Sequence, residues 1–208
     1  MKPILGIIGK HETLPSKNKI IYNYTDIVNK IISSDGIPIQ LNISNNIQDT
    51  KKLLNIINGI IIQGGDNFTK EEIEIIQYAH LKNIPLLGIC LGMQTMAVAF
   101  NGNLYEIKNH NQQKENVHEV LIDKGSKIYK ILKKEKIIVN SRHKFAVKNT
   151  ELNITGYSND NIIEIIEDSN KPFFIGLQWH PESLENEDSK KIFDYFIKIS
   201  KEGKKWPY

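Results

Sequence analysis

Cysteine is almost absent from the 208-residue chain: Cys90 stands alone. No internal disulfide can form, which fits a reducing compartment. A lone cysteine of this kind is either a candidate nucleophile or a small buried hydrophobe, and its surroundings must decide. Long apolar runs are also missing. None approaches the roughly 20 residues that cross a bilayer, and Met1-Lys2-Pro3-Ile4-Leu5-Gly6 is too short for a signal peptide. A cytoplasmic protein without membrane attachment is the expectation. Charge of one sign is scarce, because 27 Lys and Arg face 24 Asp and Glu for a net +3. Lysines interspersed with glutamates read as solvated faces, not as a nucleic-acid surface. The chain carries no Walker-type phosphate loop. One cysteine cannot build a structural zinc site, so neither metal nor cofactor is expected.

What is present is a patterned globular sequence, 40% hydrophobic and 25% charged, able to bury a core. Short apolar runs alternate with amphipathic ones in the first half. Strands are expected at residues 4–8, 38–41, 59–63 and 85–89, and helices at 25–34, 51–57, 69–82 and 92–100. Thr69 and Glu72 form a capping box. This alternation predicts an α/β fold, a mostly parallel central sheet with helices on both faces. The polar stretch 109–116 reads as an exposed loop. β-like runs at 117–122, 136–139, 162–167 and 173–177 then suggest a smaller antiparallel extension or a mixed sheet, before a helix at 187–200 and a polar tail at 201–208. Without repeat or linker, residues 1–208 read as a single domain.

Gly88-Ile89-Cys90-Leu91-Gly92 falls at a strand-to-helix junction. Flanking glycines permit a sharp turn that lifts the side chain out of the sheet, as in the serine nucleophile elbow. The following helix aims its positive end at the sulfur, favouring thiolate. A thiol nucleophile needs a base. Among six histidines, His180 differs from the rest. In Gln178-Trp179-His180-Pro181-Glu182 it follows a buried strand, with a carboxylate two residues on that can orient the ring. His80 reads as a core-edge residue, while His11 and His110 sit in polar loops with no evident partner. Gly64-Gly65 at a strand end, with the N–H of Leu91, offers an oxyanion hole. Gln94, one turn into the helix after Cys90, suits a polar substrate end.

Gly88-Ile89-Cys90-Leu91-Gly92-Met93-Gln94 and Gln178-Trp179-His180-Pro181-Glu182 together resemble the two diagnostic motifs of the class I glutamine amidotransferase-like superfamily. The resemblance spans essentially the whole chain. It implies attack of Cys90 on a γ-carboxamide, with His180 and Glu182 completing a triad, and a γ-glutamyl thioester hydrolysed to glutamate. It also implies that Gly64, Gly65 and Leu91 contact the oxyanion or substrate backbone and that Gln94 contacts the glutamyl group.

Gly102-Asn103-Leu104-Tyr105 and Val139-Asn140-Ser141-Arg142-His143 look like stand-alone γ-glutamyl hydrolases, which places Asn140, Ser141, Arg142, His143 and Lys144 among the expected substrate-binding residues. His143 reads equally as a structural histidine, and His118 as structural. The hydrolase for γ-glutamyl-γ-aminobutyrate usually continues this stretch with a second histidine and a glutamine. Here Lys144 and Phe145 stand instead. Arg142 and Lys144 suit a phosphate-bearing leaving group. The expected substrate is therefore nucleotide-linked: γ-glutamyl-CDP-amidate, releasing cytidine diphosphoramidate for capsule modification. The alternatives are a γ-aminobutyrate-type hydrolase, a glutaminase subunit serving a partner synthase, and a binding protein on the same fold.

Overall fold

The computed structural model describes residues 1–43 and 47–203. Strand β1 (Ile4–Ile8) leads into a hairpin of β2 (Lys10–Thr13) and β3 (Lys19–Tyr22), followed by helix α1 (Thr25–Ser33) and β4 (Ile37–Leu41). Next come α2 (Ile47–Leu54), β5 (Gly59–Ile62), α3 (Lys70–Leu81), β6 (Leu86–Ile89) and α4 (Leu91–Ala99). β7 (Asn103–Glu106), β8 (His118–Ile122), α5 (Lys127–Leu132), β9 (Lys136–Val139) and β10 (Phe145–Asn149) follow. β11 (Asn153–Ser158), β12 (Ile163–Glu167), β13 (Phe174–Leu177) and α6 (Glu187–Glu202) complete the described chain. The end of the expected polar tail, residues 204–208, lies outside the described residues.

Nine strands form one sheet in the order β4-β1-β5-β6-β13-β12-β11-β8-β9. β4, β1, β5, β6 and β13 run parallel, and β12, β11, β8 and β9 extend the sheet antiparallel. β5, β6 and β13 are buried along their whole length, as strands covered on both faces must be. One core packs Ile27, Ile31, Ile128, Phe193 and Phe196 from α1, α5 and α6 on one face. The other packs Leu54, Ile75, Ile76, Met93 and Met96 from α2, α3 and α4 on the opposite face. Among the described residues, no helix is long and apolar enough to cross a membrane.

Residues 173–177 make the sheet mixed: β13 pairs antiparallel with β12 and parallel with β6, with Leu177 beside Ile89. One local reading changes. The capping box is half made. Thr69 Oγ1 accepts from the Glu72 N–H at 3.2 Å, but the Glu72 carboxylate turns to Lys10 Nζ at 2.8 and 2.9 Å. That ion pair is nearly sealed from solvent, with Lys10 5% and Glu72 3% exposed.

Candidate active site

The register of β6 and β13 decides where the chemistry-bearing residues meet. With Leu177 beside Ile89, the residues just past both carboxyl ends become neighbours, and the Cys90 N–H donates to Leu177 O at 2.8 Å. Cys90 has φ 51° and ψ −105°, a strained conformation for a residue with a Cβ. The strain therefore sits on the nucleophile candidate itself. Its flanking glycines serve close approach: a Cβ on Gly92 would lie 2.0 Å from Ile62 O, and one on Gly88 2.4 Å from Met96 Sδ. Leu91 opens α4, so its N–H has no intrahelical partner and points out of the helix end beside the sulfur.

His180 Nδ1 lies 2.7 Å from Glu182 Oε1, and the ring and the Cys90 side chain both lie against Gly64. Burial works against the charged imidazole. The Glu182 carboxylate and Cys90 outweigh it, and the His180 pKa is pushed up to about 10. The structure thus brings the cysteine, histidine and glutamate of the two sequence motifs into one constellation.

Several neighbours take parts other than those expected. Asn140 is fully buried and clamps the His180 backbone: its Oδ1 accepts from His180 N at 2.8 Å and its Nδ2 donates to His180 O at 2.9 Å. These bonds hold the histidine backbone in place. Ser141 is also fully buried, and its hydroxyl donates to His110 O at 2.7 Å and lies 3.2 Å from His110 Nδ1. Gly64 makes room for His180, since a Cβ there would stand 2.9 Å from His180 Cε1. Gly65 lines the cleft together with Cys90.

The cleft divides at Cys90 into two recesses. One is bounded by Tyr24, Asp26, Asp66, His180 and Glu182, the other by Leu91, Gln94, His143, Lys144 and Phe145. Asp66 and Arg142 border both, and the buried Nε of Arg142 has no hydrogen-bond partner among the described residues. Lys144 borders only the second, so the two cations part company. Gln94 donates through Nε2 to Phe145 O at 2.8 Å and to Gln178 Oε1 at 3.2 Å. Gln178 Nε2 in turn donates to Cys90 Sγ at 3.6 Å. Gln178 is a site residue that the motif reading passed over, although its place two residues before His180 along an extended segment was a usable signal. Tyr24 and Asp66 carried no such signal.

His110 is not a partnerless loop histidine. It is 4% exposed, its Nε2 meets Asp160 Oδ2 at 2.9 Å, and its ring stacks near His118 and His143. His143 donates or accepts through Nδ1 with Phe145 O at 2.9 Å, which for a carbonyl partner means Nδ1–H donates. Burial, chiefly, lowers the His143 pKa to about 4. Donor atoms of His110, His143 and Glu164 all lie within 4.8 Å of one another, a grouping that the sequence hides because the residues come from separate loops and strands.

Comparison with known proteins agrees with this geometry. The family model for glutamine amidotransferase class-I matches residues 20–199. A CTP synthase of Buchnera aphidicola (subsp. Schizaphis graminum) is 33% identical over 97% of this chain and 46% of its own length. The chain thus spans about half the length of the CTP synthases it matches. A glutamine amidotransferase-like protein of Rickettsia prowazekii is 31% identical over 86% of this chain and 88% of its own. The glutaminase domain of Trypanosoma brucei CTP synthase, solved with bound acivicin, superposes with TM-score 0.74 at 17% identity, covering 99% of this chain and 96% of that one. The last comparison shows the shared fold. The family match and the Rickettsia relative show more: this chain belongs to the class I glutamine amidotransferases.

Proposed function

We propose that the chain is a cysteine-nucleophile hydrolase that releases glutamate from a γ-glutamyl amide. The observation that carries this reading is the convergence of the Cys90 sulfur, the His180 imidazole and the Glu182 carboxylate. Cys90 Sγ attacks the amide carbon as thiolate, and the carbonyl oxygen takes negative charge against the N–H groups of Leu91 and Gly65. His180 gives its proton to the departing nitrogen as the C–N bond breaks, leaving a γ-glutamyl thioester. Now neutral, His180 takes a proton from water as that oxygen attacks the thioester carbon. The C–S bond breaks, and glutamate leaves. Glu182 holds the ring and stabilises its charged form throughout.

The second recess suits the glutamyl end. Both Gln94 amide hydrogens are committed to Phe145 O and Gln178 Oε1, which leaves Gln94 Oε1 to accept from an α-ammonium group. The Lys144 ammonium at the same recess suits the α-carboxylate. The leaving group then falls in the first recess. There the unpartnered Arg142 guanidinium suits phosphate oxygens, and Asp26 and Asp66 suit hydroxyl donors of a sugar. A nucleotide-linked amide of the γ-glutamyl-CDP-amidate type meets these requirements, with cytidine diphosphoramidate, a capsule-modification precursor, as the second product. γ-Aminobutyrate offers nothing for the guanidinium beyond one carboxylate.

A second reading has its own support, the 33% identity to a CTP synthase across 97% of the chain. Under it the amide is glutamine, and the ammonia passes to a partner synthase. Glutamate release from a panel of γ-glutamyl amides, with and without a phosphorylated leaving group, separates the two. Preference for the phosphorylated amide by the isolated chain supports the first reading. Turnover of glutamine alone, at a rate that rises with an added synthase, replaces it with the second. Cys90→Ala abolishes turnover of every amide under either; an active variant overturns the mechanism itself.

A further inference from the structure

Beneath the second recess lies a buried polar cluster that the hydrolysis does not use. Glu164 on β12 is fully buried, and His110 and His143 are each 4% exposed. His143 Nε2 stands 3.8 Å and His110 Nδ1 4.0 Å from Glu164 Oε1, with His118 Nε2 3.2 Å from the same oxygen. Among the described residues, His118 Nε2, His143 Nε2 and both Glu164 oxygens have no hydrogen-bond partner.

The outer nitrogens say which way the lone pairs point. His143 Nδ1 faces the Phe145 carbonyl at 2.9 Å, so Nδ1 carries the hydrogen and Nε2 turns a lone pair inward. His110 Nε2 faces the Asp160 carboxylate at 2.9 Å, so its Nδ1 is the acceptor nitrogen, 3.2 Å from the Ser141 hydroxyl and 4.0 Å from Glu164 Oε1. The unpartnered His143 lone pair and the unpartnered Glu164 carboxylate thus face one another where both side chains are buried. Such an arrangement repels itself unless something positive sits between the donors.

We propose that this cluster is a structural site for a divalent transition ion of the zinc class, held by His110 Nδ1, which would exchange its contact with the Ser141 hydroxyl for the ion, His143 Nε2 and Glu164. Nitrogen and carboxylate ligands bind zinc at about 2.0–2.2 Å, which spaces tetrahedral donors by about 3.3 Å. The two imidazole nitrogens stand 3.8 and 4.0 Å from Glu164 Oε1, and the three donors lie within 4.8 Å of one another, so closing to that spacing takes shifts of up to about 1.5 Å. Outer partners are already in place. Asp160 on His110 and the Phe145 carbonyl on His143 are the carboxylate and carbonyl that fix ring orientation in metal sites. The ion would pin residues 140–145, the segment that clamps His180 and lines the glutamyl recess.

The test uses untagged full-length protein carrying Cys90→Ser, which removes the reactive thiol and makes the readout independent of hydrolysis. Zinc titration by calorimetry is expected to give about one ion per chain, lost on chelation, and to raise the thermal midpoint by the mass-action linkage. Cobalt(II) in its place should give the intense visible bands of a tetrahedral site. Adding Glu164→Gln or, separately, His143→Asn should weaken binding at least tenfold. If Glu164→Gln does not fold, His143→Asn and the stoichiometry of the Cys90→Ser protein decide. No zinc-dependent shift in the midpoint, or equal binding by the variants, overturns the proposal and leaves the cluster a proton-sharing network.

Discussion

At the scale of single residues, the nucleophile candidate bears the backbone cost of its own placement. The sequence suggested that glycines supply the sharp turn. Instead Cys90 itself adopts φ 51°, while Gly88 and Gly92 keep ordinary φ and are needed for their missing Cβ atoms. Pattern reading locates an elbow but cannot divide its strain, because the division depends on how close β5 comes to α4. A positive φ is easy for glycine and costs other residues about 1–3 kcal/mol. Cys90→Gly is therefore expected to be inactive yet more stable than Cys90→Ala by roughly 1 kcal/mol or more, the reverse of the usual glycine penalty. Urea denaturation of the two variants measures the difference. A less stable glycine variant would mean that the turn is unstrained.

Whole elements were legible where periodicity was strong and obscure where burial and polarity disagreed. β1, β5, β6, α3 and α4 follow from apolar runs and helical spacing that tertiary packing reinforces. The β2–β3 hairpin escaped notice because its first strand, Lys10-His11-Glu12-Thr13, has no apolar residue at all. Only the fold reveals that Lys10 is buried against Glu72 of α3. Likewise β7 and β10 pair across 42 residues of intervening chain, as Leu104 meets Val147 about midway, and no local pattern announces such a pairing. Lys10 and Glu72 supply a test at this scale. Burial pushes the Glu72 pKa up, and Lys10 opposes it, so removing the lysine leaves an uncompensated carboxyl. Lys10→Met should cost about 3–5 kcal/mol. Lys10→Met combined with Glu72→Leu should recover most of that, since a buried pair is replaceable by apolar contact. A double variant no better than the single one would show that the pair contributes more than mutual neutralisation.

At the scale of the molecule, the site exists only because separate parts of the chain end at one seam. β5 brings Gly64 and Gly65, β6 and α4 bring Cys90 and Gln94, β13 brings His180, and the turn after β9 brings Asn140 and Arg142. The two motifs were legible in advance, whereas the seam itself, set by the parallel pairing of β13 with β6, was not. The electrostatics of that seam enter the stability of the whole fold. His180 is raised from about 6.5 when unfolded to about 10 when folded, so the folded state holds the charged imidazole more tightly. The stabilisation is fully present below pH 6.5 and is lost as pH rises through about 10. Because Glu182 is the strongest of the groups raising it, Glu182→Gln should remove much of the effect. Denaturation of both proteins at pH 6, 8 and 10 should show a gap of a few kcal/mol that narrows with rising pH. The same substitution should cut kcat by about 10²–10⁴-fold and bring the alkaline limb of the rate profile to lower pH. Other titrating groups are common to both proteins and cancel in the difference. A gap that stays constant from pH 6 to 10 would mean that His180 is already neutral at pH 6, and the proton delivered to the leaving nitrogen would then be the one His180 takes from the Cys90 thiol.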